Sequence, residues 1–240
     1  MPRITATTLP VPRITPAQRD AMWAVFEHYY DDVTRARFDA DLNEKDHVIL
    51  LQDGPTVRGF STVCTRPFQI GDRRIVSVYS GDTVIDDRYR GQTALQRAFF
   101  WYVVRARVRN PTRLVVWFLV SKGYKTYLLL ARNFASFWPR REATTPDWVR
   151  ALIVTMARDR FGDSLDEGAL VLRVAHGRLR GAVAPIVGLV DPDIRYFAAA
   201  NPNHAAGEEL CCVGLVDAGF LLGFPLRVMR KLLTARPGTR

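Results

Sequence analysis

Apolar positions near the start of the chain recur at helical spacing. Ala21, Met22, Val25, Phe26 and Tyr29 follow Thr15-Pro16-Ala17-Gln18, which supplies an N-cap hydroxyl, a proline for the first helical position and a glutamine placed to close a capping box. This predicts a helix from Thr15 to about Tyr30. The stretch from Val33 to Asn43 has no clean period and reads as a short helix or turn. From Asp46 the pattern becomes that of strands. HVILLQD, VRGFSTVCT and RRIVSVYSGDTVI are rich in β-branched and aromatic residues and are separated by glycine-containing turns, so three consecutive antiparallel strands are expected.

After Ile85 the helical period returns. Leu95, Ala98, Phe99, Tyr102, Val103 and Ala106 form one apolar face of a helix expected from Thr93 to Val108, which Asn110-Pro111 stops. Arg113 to Val120 reads as a buried, central strand, and Ser121 as the cap of a helix over 122–134. Thr145-Pro146-Asp147 then opens a helix ending near Phe161-Gly162, with proline at its first position. The strand ALVLRVA, a glycine-rich turn, a short helix from Asp191-Pro192 to Ala200 and the strand ELCCVGLV complete the order. The fold class is α/β (α+β), with an N-terminal arm over 1–14, a core over 15–141 and a C-terminal extension over 142–240 packed on that core. Three prolines in the first twelve residues suggest that the arm is only partly ordered.

Several function classes drop out at this stage. The arm has no apolar run of signal-peptide length, and Leu210 to Phe224 is broken by Asp217 and glycines, short of the roughly 20 residues a membrane span needs. Three cysteines, Cys64, Cys211 and Cys212, make neither a disulfide framework nor a four-ligand zinc site. His28, His47, His176 and His204 have no ligand-like spacing, so no metal is expected. A cytoplasmic location follows as the expectation.

Charge changes the picture. The chain of 240 residues carries a formal +10, yet residues 88–141 alone hold twelve Lys or Arg and no Asp or Glu. Such a one-signed run favours an anionic partner, because guanidinium groups hold phosphate through several directed donors. The run starts at a strand-to-helix junction, where Arg88, Arg90 and Gly91 precede a helix N-terminus able to receive phosphate on backbone N–H groups. Neither a GxxxxGK[ST] loop nor three spaced glycines occur there, which excludes P-loop and Rossmann readings.

The stretch Arg88-Tyr89-Arg90-Gly91-Gln92-Thr93 resembles the acyl-CoA pyrophosphate loop of the GCN5-related N-acyltransferase superfamily, written Gln/Arg-x-x-Gly-x-Gly/Ala, except that Thr93 replaces the last small residue. Leu95 stands where a second glycine is often found, while Ile85-Asp86-Asp87 is similar to the family's Val-Asp-Pro lead-in. The element order over 47–134 also agrees. The resemblance implies a mixed, mostly antiparallel central sheet flanked by helices, and transfer of an acyl group to a small amine-type acceptor. The donor it implies is a coenzyme A thioester or, given the two departures, the phosphopantetheine of an acidic acyl-carrier protein meeting Arg97, Arg105 and Arg109. Donor contacts then fall on the backbone of Val84 and Ile85, on Arg88 and Arg90, and on Gly91, Gln92, Thr93 and Ala94. The acid that protonates the leaving thiolate falls on Tyr127, with Tyr124 second.

Asp82, which follows Gly81 on the strand leading to the loop, is the candidate general base, and Glu27 on the first helix is a weaker one. Two other classes remain open. One is a non-enzymatic nucleic-acid-binding protein using the arginine-rich 88–141 face, although no nucleic-acid motif is present. The other is association with an anionic membrane surface through GFLLGFPLRVMRKLL at 219–233.

Overall fold

The computed structural model describes residues 4–173, 178–179 and 190–223. In chain order its elements run β1 (Thr5–Pro10), α1 (Pro16–Tyr29), β2 (Tyr30–Asp31), α2 (Arg35–Asn43), β3 (His47–Asp53), β4 (Thr56–Ile70), β5 (Arg73–Ile85), α3 (Ala94–Arg109), β6 (Leu114–Ser121), α4 (Tyr124–Asn133), β7 (Phe137–Trp138), α5 (Asp147–Phe161), β8 (Leu165–Asp166), β9 (Val171–Leu172), β10 (Arg178–Leu179), α6 (Pro192–Ala200) and β11 (Glu209–Leu215). The main sheet has the order β1-β3-β4-β5-β6-β11-β9-β8, with β7 beside β11. Every pairing in it is antiparallel except β5 with β6. This is the mixed, mostly antiparallel sheet with helices on both faces that was expected.

The strand runs are apolar on consecutive positions because both faces are covered. In β6, Val115, Trp117 and Leu119 face α3, α4 and α6, whereas Val116 and Phe118 face α5. On that second face α1 and α2 cover Val48, Leu50, Phe60 and Val84. The capping box at α1 is present, with Gln18 N–H donating to Thr15 Oγ1 at 3.2 Å and Thr15 N–H to Gln18 Oε1 at 3.0 Å. Asp191 caps α6 through the Asp193 N–H.

Three local expectations need correction. Ser121 ends β6 and donates its hydroxyl to Gly123 O, so it does not cap α4, which begins after Gly123. Pro146 is the residue before α5 and not its first helical position. ALVLRVA contributes only Val171–Leu172 to a described strand before the chain passes out of the described residues.

Thr5–Pro10 of the expected arm form strand β1, paired with β3 over its whole length. Pro10 is tolerated because it closes an edge strand, where a missing N–H costs no ladder bond. The 142–240 segment supplies β11, which pairs with β6 and continues the sheet. Among the described residues no helix is long and apolar enough to cross a membrane. The glycine-rich turn, His176 and residues 224–233 lie outside the described residues.

Candidate functional site

The strand β5 changes partners along its length. Ile75–Tyr79 pair in parallel with Leu114–Phe118 of β6 while also pairing with β4. From Ser80 onward β5 keeps β4 but has left β6, which continues to Ser121 on β11. The cause lies in the register. Val63 pairs with Ser80 and Ser61 with Thr83, so Gly81 and Asp82 together stand opposite the single residue Thr62. This is a β-bulge, which bends its strand, sharpens the twist and re-aims side chains. Trp117 Nε1 donates to Ser80 Oγ at 2.9 Å where the two strands part.

The bulge also resets the alternation of faces. Tyr79 before it and Val84 after it pack on the same side of the sheet although they stand an odd number of positions, five, apart. Gly81 makes the close approach there: a Cβ would stand 2.5 Å from Thr62 Oγ1 and 3.0 Å from Lys45 Cε. Thr62 is buried, and its hydroxyl has no partner among the described residues.

Asp82 lies in this opening, beside Asp41 and Lys45. Burial is the main cause that pushes its carboxyl up to about 7, and the neighbouring Asp41 adds to this, while Lys45 and Lys122 oppose it. Lys45 is buried and ion-paired with Asp41, and its Nζ also donates to Asp41 O at 3.1 Å. Burial together with Asp82 and Glu209 pushes the Tyr30 phenol up, and Lys122 stands 5.6 Å over the Tyr30 ring while pairing with the buried Glu209 at 3.1 Å. None of Asp41, Lys45, Thr62 and Tyr30 was singled out from the sequence. The available signal was the polar Ser61-Thr62 pair inside the buried stretch of β4 over 59–64.

The loop after Ile85 is anchored from several sides. Tyr89 is buried with its hydroxyl on Asp53 at 2.6 Å, Asp87 N–H donates to Tyr29 Oη, and Gln92 Oε1 accepts from Ile4 N–H at 3.1 Å. Gly91 has φ +87°, a left-handed angle, and a Cβ there would meet nothing within 4 Å. Thr93 precedes α3 without a side-chain cap, and Leu95 packs against the core. Val84 faces α1 and α2, and Ile85 the opposite side.

The cationic run is partly neutralised. Arg88 binds Asp86 at 2.8 Å, Arg90 binds Asp87 at 2.7 Å, Arg132 binds Asp191, and Arg141 binds Asp193. Every one of these acids lies outside the 88–141 window. Arg97, Arg105 and Arg109 are exposed on α3, as is Trp101 between the first two.

The two candidate tyrosines part company. Tyr127 is fully buried, its hydroxyl donating to Pro139 O at 3.0 Å and its ring against Phe137, Tyr196 and Phe197. Burial pushes its phenol up. The structure therefore does not bring Tyr127 to the opening between β5 and β6. Tyr124 begins α4, three residues after β6 ends, and is only partly buried. Glu27 is exposed and lines a cavity of about 450 Å³ with Trp23, His28, Tyr30 and Asp32. The cysteines are buried, and no group of three or more metal-ligating side chains gathers among the described residues.

No protein-family model matches the chain, and no curated protein matches it. Solved structures do. A probable N-acyltransferase of unknown function from Enterococcus faecalis V583 aligns at 9% identity over 54% of this chain and 32% of its own, with a TM-score of 0.43. An acyl-CoA N-acyltransferase from Pseudomonas aeruginosa aligns at 11% identity over 56% of this chain and 90% of its own, with a TM-score of 0.41. The Escherichia coli GNAT family N-acetyltransferase YhbS, in complex with CoA, aligns at 15% identity over 58% and 78%, with a TM-score of 0.37. The chain spans about a third of the Enterococcus protein's length.

Proposed function

We propose that this chain transfers an acyl group from a pantetheine thioester to an amine. The observation that carries the reading is the bulge at Gly81–Asp82, which parts β5 from β6 and sets a carboxyl of near-neutral pKa at the parting. A pantetheine arm entering between the strands would meet the unshared edge of Ser80–Ile85, with backbone at Val84 and Ile85 as amide partners. Gly91 to Ala94 and the arginines Arg88 and Arg90 would take the phosphates of coenzyme A. The left-handed turn at Gly91 and the uncapped start of α3 suit that load.

The acceptor approaches from the α1–α2 side, where Asp82 removes a proton from its nitrogen. The nitrogen attacks the thioester carbonyl, the carbon–sulfur bond breaks, and the departing thiolate takes a proton from Tyr124. Asp82 suits the role because a base with a pKa near the working pH combines ionisation with proton affinity. Tyr124 replaces Tyr127 as the acid on position alone. An acyl-carrier protein is the alternative donor, supported by the exposed Arg97, Trp101 and Arg105 on α3, a surface an acidic helical partner would complement.

The test is thiol release from a panel of acyl-CoA donors and amines, alongside thermal shifts with coenzyme A, a nucleic-acid mixture and anionic vesicles at two salt concentrations. Saturable stabilisation by coenzyme A, lost in Gly91→Glu, is expected. Equal, salt-sensitive stabilisation by every polyanion, without thiol release, would replace the enzyme by a general anion-binding surface.

A further inference from the structure

The outward face of α3 departs from the pattern of a solvated helix, which puts charged and polar side chains opposite the core. Val103 and Ala106 are buried on the inner face, with Phe99 and Tyr102 packed beside them. On the outer face Arg97, Trp101, Arg105 and Arg109 recur every four residues and so share one stripe, roughly 18 Å long. Trp101 and Val108, two helical turns apart, lie along its middle and are 67% and 72% exposed. The stripe has an apolar centre line between arginines.

Charge separates this face from the rest of the cationic run. Arg88, Arg90, Arg132 and Arg141 each hold an acid, whereas Arg97, Arg105 and Arg109 are exposed and form no ion pair among the described residues. The helix itself, Ala94–Arg109, contains no Asp or Glu. Asp46, whose neighbour His47 packs its ring on Tyr102 at 5.3 Å, is occupied by Arg66 at 3.3 Å and by the Thr65 N–H at 2.6 Å.

A second cationic element starts beside the helix. Phe220 stacks on Phe134 at 4.3 Å and packs on Phe100, the residue before Trp101, at 5.7 Å, while Leu222 is 71% exposed. Residues 224–240, which follow Gly223, hold five Lys or Arg and no Asp or Glu, interleaved with apolar residues such as Phe224, Leu226 and Met229. Like charge opposes that segment as a cover for α3, and one polyanionic surface complements both.

We propose that the outer stripe of α3, together with the cationic residues after Gly223, docks this protein on an anionic lipid surface. Helices that lie in the headgroup layer combine these residue types: the Trp ring takes the boundary between headgroup and acyl chain while guanidinium groups meet phosphate. A nucleic-acid duplex would satisfy the arginines and leave Val108 and Leu222 without apolar contact. A compact acidic protein would cover the stripe alone, whereas an extended surface meets the stripe and the following residues together. The inference stands apart from the acyl-transfer reading.

Co-sedimentation of the full chain tests it, with vesicles of phosphatidylcholine alone or mixed with equal parts phosphatidylglycerol. Binding to the anionic vesicles is expected, weakening at high salt, with little to phosphatidylcholine alone. Arg105→Gln and Arg109→Gln should each weaken it about fivefold and Trp101→Ala about tenfold, while Trp101→Phe retains it. Brominated acyl chains should quench the Trp fluorescence of the bound protein, and less so in Trp101→Phe. These positions are exposed, so the melting midpoints should stay where they are. Equal anionic-vesicle binding by parent and variants, or equal binding to both kinds of vesicle, overturns the proposal. So does tight binding of a DNA duplex or of an acidic acyl-carrier protein that the same variants abolish, without quenching by brominated lipid, since the stripe would then belong to that partner. Thiol release enters none of these readouts, so a failed acyl transfer leaves the surface to be judged on vesicles.

Discussion

The two halves of β5 share one strand and one partner in β4, yet they live in different solvents. Ile75–Tyr79 are paired on both edges and packed on both faces, and they hold α5 on one side and α3 on the other. Ser80–Ile85 have lost β6, carry a bulge and gather polar groups. The first half is built to be stable. The second gives up a row of ladder bonds and sets the half-buried Asp82 carboxyl opposite Thr62 of β4, whose hydroxyl has no partner among the described residues.

Truncation on the two sides of the parting tests this division most strongly. Phe118 is buried against Tyr79 at the last shared pair, so Phe118→Ala should cost about 3–5 kcal/mol in chemical denaturation. Thr83, exposed in the second half and bonded only through Ser61 and Gly81 O, should cost under about 1 kcal/mol as Thr83→Ala. Similar costs at both positions would mean that the second half is ordinary sheet.

Asp82→Asn separates function from stability. Thiol release should fall roughly 10²- to 10⁴-fold, the span typical of a lost general base. Stability should move the other way. The folded carboxyl binds its proton more tightly than the unfolded one, so folding is favoured most at low pH, and the benefit disappears as pH rises from about 4 to about 7. The Asn variant, which has no charge to bury, should therefore melt above the parent protein at pH 8 and lose that advantage near pH 4. In the parent, kcat/KM should rise with pH through about 7 as the base ionises.

Much of this division could be read from the sequence, and the parts that could not share a cause. The starts of α1 and α6, the three strands from His47 to Ile85 and the central β6 follow from local patterns such as Thr15-Pro16-Ala17-Gln18 and the continuous run of β6. Asp82 stood out through its position after Gly81. Asp41 and Lys45 did not, because only the packing of α2 on the sheet brings them to a residue some forty positions away. Tyr127 stood out by its spacing from Asn133-Phe134, but spacing along α4 does not tell the face toward α6 from the face toward β6. The cationic window exaggerated the field because it left out Asp86, Asp87, Asp191 and Asp193, which neutralise its members from neighbouring and distant parts of the chain.

Gly91 ranks below these in expected effect. Any side chain must hold the left-handed angle of +87°, so Gly91→Ala should cost about 1–2 kcal/mol of stability although nothing lies in its way. If the loop receives phosphate, the donor KM should rise with it. An effect on stability alone would make the loop a structural turn and leave the β5 opening as the donor's sole contact.

The smallest effect is expected at the loop arginines, and its size follows from their partners. Arg88 and Arg90 are 67% and 60% exposed in their side chains, and each is held by the acid nearest to it. Exposed pairs of this kind are worth about 0.2–1 kcal/mol, so neither Arg88→Ala nor Arg90→Ala should shift the melting midpoint by more than about 2–4 °C. Phosphate must compete with Asp86 and Asp87 for the guanidinium groups, and water screens what is gained. The donor KM should therefore rise only about three- to tenfold in either variant, with the change shrinking at high salt. Replacing the competing acid reverses the sign: Asp87→Asn, which releases Arg90, should tighten donor binding. A donor KM that rises in Asp87→Asn as much as in Arg90→Ala would mean that the pair serves to hold the loop's shape, and that the second half of β5 meets the donor without charge from its own loop.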